Sequence, residues 1–365
     1  MHLFYQLALT RIKGVGDVLA KQLLTYCGSA EAVFHTPKKQ LLTIPGIRDQ
    51  VANAITQQQY STDLDKELHF VQQHQIQVLF WTEPDYPVRL QQCADAPVLL
   101  YYKGNANLNA PRIVSVVGTR NATPYGKELC EQLISDLLNY EVLVVSGLAY
   151  GIDSYAHKAC VGQGVPTVGV LGHGLDRIYP AANRLLASDM LKDGGLLTEY
   201  PSGTNPDRQN FPSRNRIIAG LADVTIVVEA ALKGGALITA EIANTYNRDV
   251  CAFPGSINYE FSAGCNHLIK THRAHLIGSA KDLAYVMNWE PVEKPLNSAK
   301  QLPLPLALDP LEQKIYDLVK ANGALSIDEL ARRLNLAQSK LAIAILALEI
   351  QGVLVALPGK IYRVP

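Results

Sequence analysis

The chain carries no excess charge of either sign: 33 Lys and Arg balance 33 Asp and Glu. No global field therefore draws it onto a polyanion or an anionic membrane, and any nucleic acid must be held by a local patch. Tryptophan and phenylalanine are scarce, at 2 and 7 residues, although 17 tyrosines leave enough rings for base stacking. The six cysteines (Cys27, Cys93, Cys130, Cys160, Cys251, Cys265) include no C-x-x-C pair. They read as small buried apolar residues in a reducing compartment, which argues against a disulfide frame or a zinc site. The N-terminal stretch MHLFYQLALTRIKG has no basic start, long apolar stretch or cleavage site, so it does not read as a signal peptide. No apolar run approaches the roughly 18–20 residues needed to cross a bilayer. The expectation is a cytoplasmic protein with no membrane contact.

Two phosphate-binding signatures are missing as well. There is no G-x-G-x-x-G with a downstream acidic partner, and no G-x-x-x-x-G-K-[ST] loop, which disfavours a dinucleotide cofactor and P-loop ATP hydrolysis. Neither His157 nor His173 is read as having a metal-ligand partner at helical spacing. Neither cofactor nor metal is expected.

What is present is a 48% apolar chain of 365 residues, enough for two or three cores. Residues 1–75 alternate apolar helical stretches with glycine turns. Residues 76–290 alternate short β-branched runs with helical segments, the rhythm of a parallel sheet covered on both faces. Strands are expected at Arg112–Val117, Val142–Ser146, Thr167–Leu171, Val224–Val228 and Val250–Phe253. Residues 291–309 form a Pro-rich linker. Residues 310–365 give helix, helix, helix and a hairpin turning at Pro358-Gly359, the winged-helix pattern, with Ser326 and Glu329 placed for a capping box.

In the first zone, Ile12-Lys13-Gly14-Val15-Gly16 precedes a helix at Asp17, and Ile44-Pro45-Gly46-Ile47 precedes one near Asp49. Such hairpins either grip a phosphate at a helix N-terminus or join the helices of a small bundle.

The sharpest signals follow the central strands. Gly118-Thr119-Arg120 follows the first, Ser146-Gly147 through Asp153 the second, and Gly172-His173-Gly174 the third, with Tyr179-Pro180 beyond. Phe211-Pro212-Ser213-Arg214-Asn215-Arg216 and Lys233-Gly234-Gly235 come later. Loops at the C-terminal ends of parallel strands share one edge, where ligands bind. Gathered there, Arg120, Arg214, Arg216 and Lys233 with free backbone N–H groups suit a chain of phosphates. Each corner also has a plainer reading as turn chemistry. Asp153 caps a helix in that reading, His157 and His173 are satisfied polar residues, and Asn215 orients a loop. The helix after residue 337 has no basic stripe, which favours protein contact or packing over duplex reading.

The segments VVGTRNATPYG, VSGLAYGIDSYAHKA, GVLGHGLDRIYPAANRLL, FPSRNRIIAGL, KGGALITAEIA and FPGSINYEFSAGCNHLIK, in this order, closely resemble the DNA-processing protein A family, also called the Smf family. The resemblance covers roughly residues 80–285. It implies an α/β fold: an extended Rossmann-like parallel-sheet core, an N-terminal helical (helix-hairpin-helix or SAM-like) domain and a C-terminal winged helix. It further implies a homodimer, not an enzyme, that binds single-stranded DNA without sequence preference, protects incoming strands in natural transformation and helps load the RecA recombinase. On that carry-over Gly118, Thr119, Arg120, Ser146 and Gly147 grip phosphate, Arg214, Asn215 and Arg216 line the groove, and Phe211 or Tyr179 stacks a base. Ala181 stands where many relatives carry a DNA-contacting lysine, with Arg184 nearby as a substitute. Ile269–Ala274 also departs from the commoner glycine-alanine ending. An alternative is a nucleotide-cleaving enzyme of phosphoribohydrolase type: Lys233-Gly234-Gly235-Ala236 with Thr239 and Glu241 has that pattern, and Glu229 or Glu241 would supply the carboxylate.

Overall fold

The computed structural model describes residues 2–58, 63–292, 308–351, 353–357 and 359–364. Most of the expected linker (293–307), together with Gly352 and Pro358 of the wing, lies outside the described residues. The chain divides into two compact units, Met1–Glu293 and Lys294–Pro365.

The larger unit is built on nine strands: β1 (Gln77–Phe80), β2 (Leu99–Gly104), β3 (Ile113–Val117), β4 (Leu143–Ser146), β5 (Thr167–Val170), β6 (Gly195–Thr198), β7 (Val224–Val227), β8 (Asp249–Ala252) and β9 (His275–Leu276). Their order is β1-β2-β6-β5-β4-β3-β7-β8-β9. From β6 to β9 every pairing is parallel, whereas β1 and β2 add to one side antiparallel. The alternation of side chains along a strand explains the two-sided burial. On one face Ile113, Val117, Val145 and Val168 pack with Ile217 and Ile218 of the helix Asn210–Leu221 and with Ala240 of the helix Gly235–Thr245. On the other, Val114, Val116, Val144 and Ile226 meet Leu133 and Ile134 of the helix Pro124–Leu137 and Ala156 of the helix Ile152–Gln163. Ser115, polar at a buried central position, is satisfied by Thr225 at 2.8 Å.

The chain winds outward from β3 through β4 and β5 to β6, then returns to lay β7 against the other side of β3. The topological switch point, outside whose strand C-termini an open α/β sheet opens its crevice, is therefore between β3 and β7.

The N-terminal helices, including His2–Thr10, Asp17–Cys27 and Asp49–Thr56, share a core with the sheet: Leu7, Leu23, Leu41 and Ile55 pack with Phe80, Val98 and Tyr101. Both expected hairpin glycines have positive φ, +90° at Gly14 and +83° at Gly46. At the first hairpin the exposed Gly16 caps the Asp17 helix without a side-chain hydrogen bond. Asp17 accepts from the Val98 N–H at 3.0 Å and pairs with Arg216 at 3.2 Å, which ties the start of this helix to the sheet domain.

In the second unit the helices Pro310–Asn322, Ile327–Leu334 and Gln338–Ile350 enclose Ile315, Leu330, Leu341 and Ile345, beside the antiparallel strands β10 (Ala324–Ser326), β11 (Val355–Leu357) and β12 (Ile361–Arg363). The reciprocal capping box forms at Asp309 and Glu312 rather than at Ser326. Ser326 accepts from the Glu329 N–H at 3.3 Å, while the Glu329 carboxylate goes to Arg333 at 2.9 Å. Exposed Ile343 and Leu346 give the third helix an apolar patch. Among the described residues no helix is long and apolar enough to cross a membrane.

Candidate nucleic-acid interface

Because β3, β4, β5, β7 and β8 run parallel, the loops at their C-terminal ends converge on one rim. Contacts join them directly. Arg120, after β3, lies over the Phe211 ring at 5.8 Å, and Phe211 lies 5.8 Å from the Tyr179 ring, after β5. Asn215 donates from Nδ2 to the Gly235 carbonyl at 3.4 Å, linking the Asn210 helix to the loop after β7.

The glycines of this rim are not equivalent. A Cβ at Gly118 would collide with the Ile152 side chain, and one at Gly147 would come within 2.6 Å of the Arg214 guanidinium. Both are small because a neighbour fills the space. Gly234 meets nothing within 4 Å, has extended backbone, and caps the Gly235 helix without a side-chain hydrogen bond. Its surroundings give no packing reason for glycine, and the helix start is an exposed, uncapped set of N–H groups favouring an anion. Lys233 beside it is exposed and, like Arg120 and Arg184, has no carboxylate within ion-pair distance among the described residues. Arg184 opens the helix Arg184–Met190, next to Asn183.

Three expected phosphate contacts are redirected. The Ser146 hydroxyl is fully buried and donates to the Val116 carbonyl at 2.6 Å. Arg214 is 4% exposed and donates to the carbonyls of Gly147, at 2.6 Å, and Val170. Arg216 is taken up by Glu199, Asp17 and the Asp95 carbonyl. The reason is that Phe211–Arg216, read as a loop, is the first part of the Asn210 helix. Consecutive helical residues point roughly 100° apart, so residues 214, 215 and 216 cannot share one face.

Arg214 instead organises the rim from below. Burial pulls its pKa down to about 10, still charged at neutral pH. Asp153, buried nearby, accepts the N–H groups of Gly147 and Ala149 at 3.2 and 3.3 Å, so its carboxylate fastens the loop after β4 rather than the helix end. Burial pushes the Asp153 pKa up while Arg214 and these N–H groups oppose the rise.

At the switch point stands Glu229, 3% exposed. Its carboxylate accepts from the Thr123 N–H at 2.9 Å and the Thr123 hydroxyl at 2.5 Å, and its carbonyl accepts from the Thr119 N–H at 2.7 Å. These bonds tie the Arg120 loop to β7. Sequence reasoning offered Glu229 only as a catalytic group. Its true partner, Thr123, is 106 positions away, and no local pattern marks it.

His157 is buried, with Nδ1 2.7 Å from Thr167 Oγ1. That hydroxyl donates to the Val144 carbonyl at 3.0 Å, so His157 must be the donor to it. Burial lowers its pKa to about 3. A histidine depressed from about 6.5 stabilises the fold fully above pH 6.5, and that contribution is lost as pH falls toward 3. Glu199 acts oppositely: burial raises it to about 7, so its contribution is full below the ordinary carboxylate range and is lost as pH rises through 7. The comparison of parent with His157→Gln isolates the histidine. Between pH 6 and 4 in thermal or urea melts, parent stability relative to the variant should fall by about 1 kcal/mol per pH unit. A pH-independent difference would show that His157 is not buried neutral.

Comparison with known proteins matches this architecture. Residues 77–288 match the family model for DNA recombination-mediator protein A, and residues 299–360 that for the DprA winged helix domain. The chain is 39% identical over 269 residues to Protein Smf of Synechocystis, covering 73% of this chain and 68% of that protein. It is 46% identical over 198 residues to DNA processing protein DprA of Streptococcus pneumoniae, covering 54% and 70%. The X-ray structure of DNA processing protein A from Streptococcus pneumoniae superposes with TM-score 0.69 at 35% identity, over 79% of this chain and 98% of that one. A Helicobacter pylori DNA processing protein A, solved for its single-stranded DNA binding mode, gives TM-score 0.54 at 28% identity, over 59% and 98%. With its extended Rossmann-like sheet, its winged helix and these matches, the chain belongs to the DNA recombination-mediator protein A family.

Proposed function

We propose that the rim binds single-stranded DNA without sequence preference, and that the protein protects incoming strands and helps load RecA recombinase in natural transformation. The observation that carries this reading is the open Gly234–Gly235 helix start, with Lys233 and Arg120 unneutralised on the same rim as the exposed rings of Tyr150 and Tyr179. Cations and bare N–H groups hold phosphates of any sequence. Exposed rings reward unpaired bases, since every base offers a π-face. The Helicobacter pylori relative's single-stranded DNA binding supports the same reading. In this proposal Gly118, Thr119, Arg120, Gly147 and Lys233 meet the backbone, Tyr179 and Phe211 meet bases, and Asn215 positions the Gly235 loop. The protein acts in the cytoplasm as a homodimer, with neither metal nor cofactor.

The phosphoribohydrolase alternative gains no support. The Glu229 carboxylate is held by Thr123, and Glu241 pairs with Arg273 at 2.5 Å. Titration of the full chain with labelled oligothymidylate and with a duplex, over a series of salt concentrations, tests the proposal. Tighter binding of the single strand is expected, with log K falling against log salt by roughly 0.7 per phosphate contact. A duplex preference, or an isotherm indifferent to salt, would refute it.

A further inference from the structure

Beside the Arg120 corner lies a half-open hollow of about 550 Å³. That volume falls within the roughly 300–1,000 Å³ of small-ligand sites and suits one nucleotide. Its walls include Arg120, Asn121, Tyr150, Tyr155, Lys158 and Asn183, and no carboxylate lines it. Tyr150 stands 51% exposed at the rim. The Asn183 wall is held in place, its amide donating to the Leu148 carbonyl at 2.9 Å and to Ser154 Oγ at 2.8 Å. At the wall of the hollow, the Tyr155 ring carries two lysines from two helices: Lys127 of the Pro124 helix at 5.8 Å and Lys158 of the Ile152 helix at 5.7 Å. Lys127 faces Glu131 at 3.9 Å, whereas Lys158 has no acidic partner among the described residues.

We infer that this hollow is a single-nucleotide subsite in which a base stacks on Tyr150, and that the strand leaves the rim here to cross the Pro124 and Ile152 helices over Lys158 and Lys127. The inference rests on the rim's being a single-strand site and adds the strand's course. A phosphate chain starting at Gly234–Gly235 passes Arg120 and then meets a cationic, carboxylate-free hollow with an exposed ring at its mouth. Continuing across the two helices keeps it on positive charge, with Tyr155 as the floor between two lysines.

Anisotropy titrations of the full chain with labelled oligothymidylate test this with Tyr150→Ala, Tyr150→Phe, Lys158→Glu and Arg120→Ala. Loss of one stacked base should weaken binding about tenfold in Tyr150→Ala, with parental affinity kept by Tyr150→Phe. Lys158→Glu should weaken binding by about tenfold and lower the salt slope by roughly 0.7 or more. An oligonucleotide bearing 5-iododeoxyuridine should photocrosslink to Tyr150. If Tyr150→Ala and Lys158→Glu both bind as the parent does while Arg120→Ala is weakened, the course is wrong and the rim reading stands. If all three bind as the parent does, the rim reading itself fails and takes the subsite with it.

Discussion

Replacing Arg120 by alanine should weaken oligothymidylate binding by roughly 1–3 kcal/mol, about tenfold or more, and reduce the salt slope by roughly 0.7. The expectation follows from its setting. Arg120 is exposed, has no carboxylate partner among the described residues, and stands in the loop after the strand that borders the switch point. Its guanidinium lies over Phe211, so one group serves both the phosphate track and the stacking ring. Nothing in the core depends on it, and thermal stability should hold within about 0.5 kcal/mol. Anisotropy at two salt concentrations with a parallel melt separates the two effects. Parental affinity in this variant would remove the rim's main cation from the account.

Arg214→Ala should do the reverse, costing about 3 kcal/mol or more of fold stability. Two buried carbonyls, of Gly147 and Val170, lose their donor, and the enclosed Asp153 loses the nearest balancing charge. For a unit of this size the melting temperature should drop by on the order of 5 °C. Strand affinity should fall only as far as the Gly147 corner loosens. Were Arg214 a phosphate contact, as its place in the FPSRNR motif first suggests, affinity would fall while the melt stayed put. Calorimetry of Arg214→Ala beside Arg120→Ala decides between these roles.

Much of the fold was legible because its signal is local. Ile113–Val117 and Val224–Val227 are short β-branched runs, and each of the five expected strands lies within about a residue of its place. β1, β2, β6 and β9 escaped. Leu99–Gly104 carries Tyr and Lys among its apolar residues, and its pairing with β6 joins segments nearly a hundred residues apart. The site was half legible. Glycine corners announced the rim, and parallel topology gathered them. Which side chain faces out was not readable, because it depends on the helical phase of residues 210–216 and on the burial that Glu199, Asp17 and Val170 impose. Gly147 and Gly234 look alike in the sequence, yet the structure gives one a guanidinium against its Cα and the other open space.

Amide hydrogen exchange of the full chain, with and without saturating oligothymidylate, tests the central claim most directly. The account predicts slowed exchange at residues 118–121, 147–151 and 234–236, with little change at the opposite edge of the sheet near Arg273. Saturated binding that leaves those three corners exchanging freely, with protection appearing elsewhere, would contradict it.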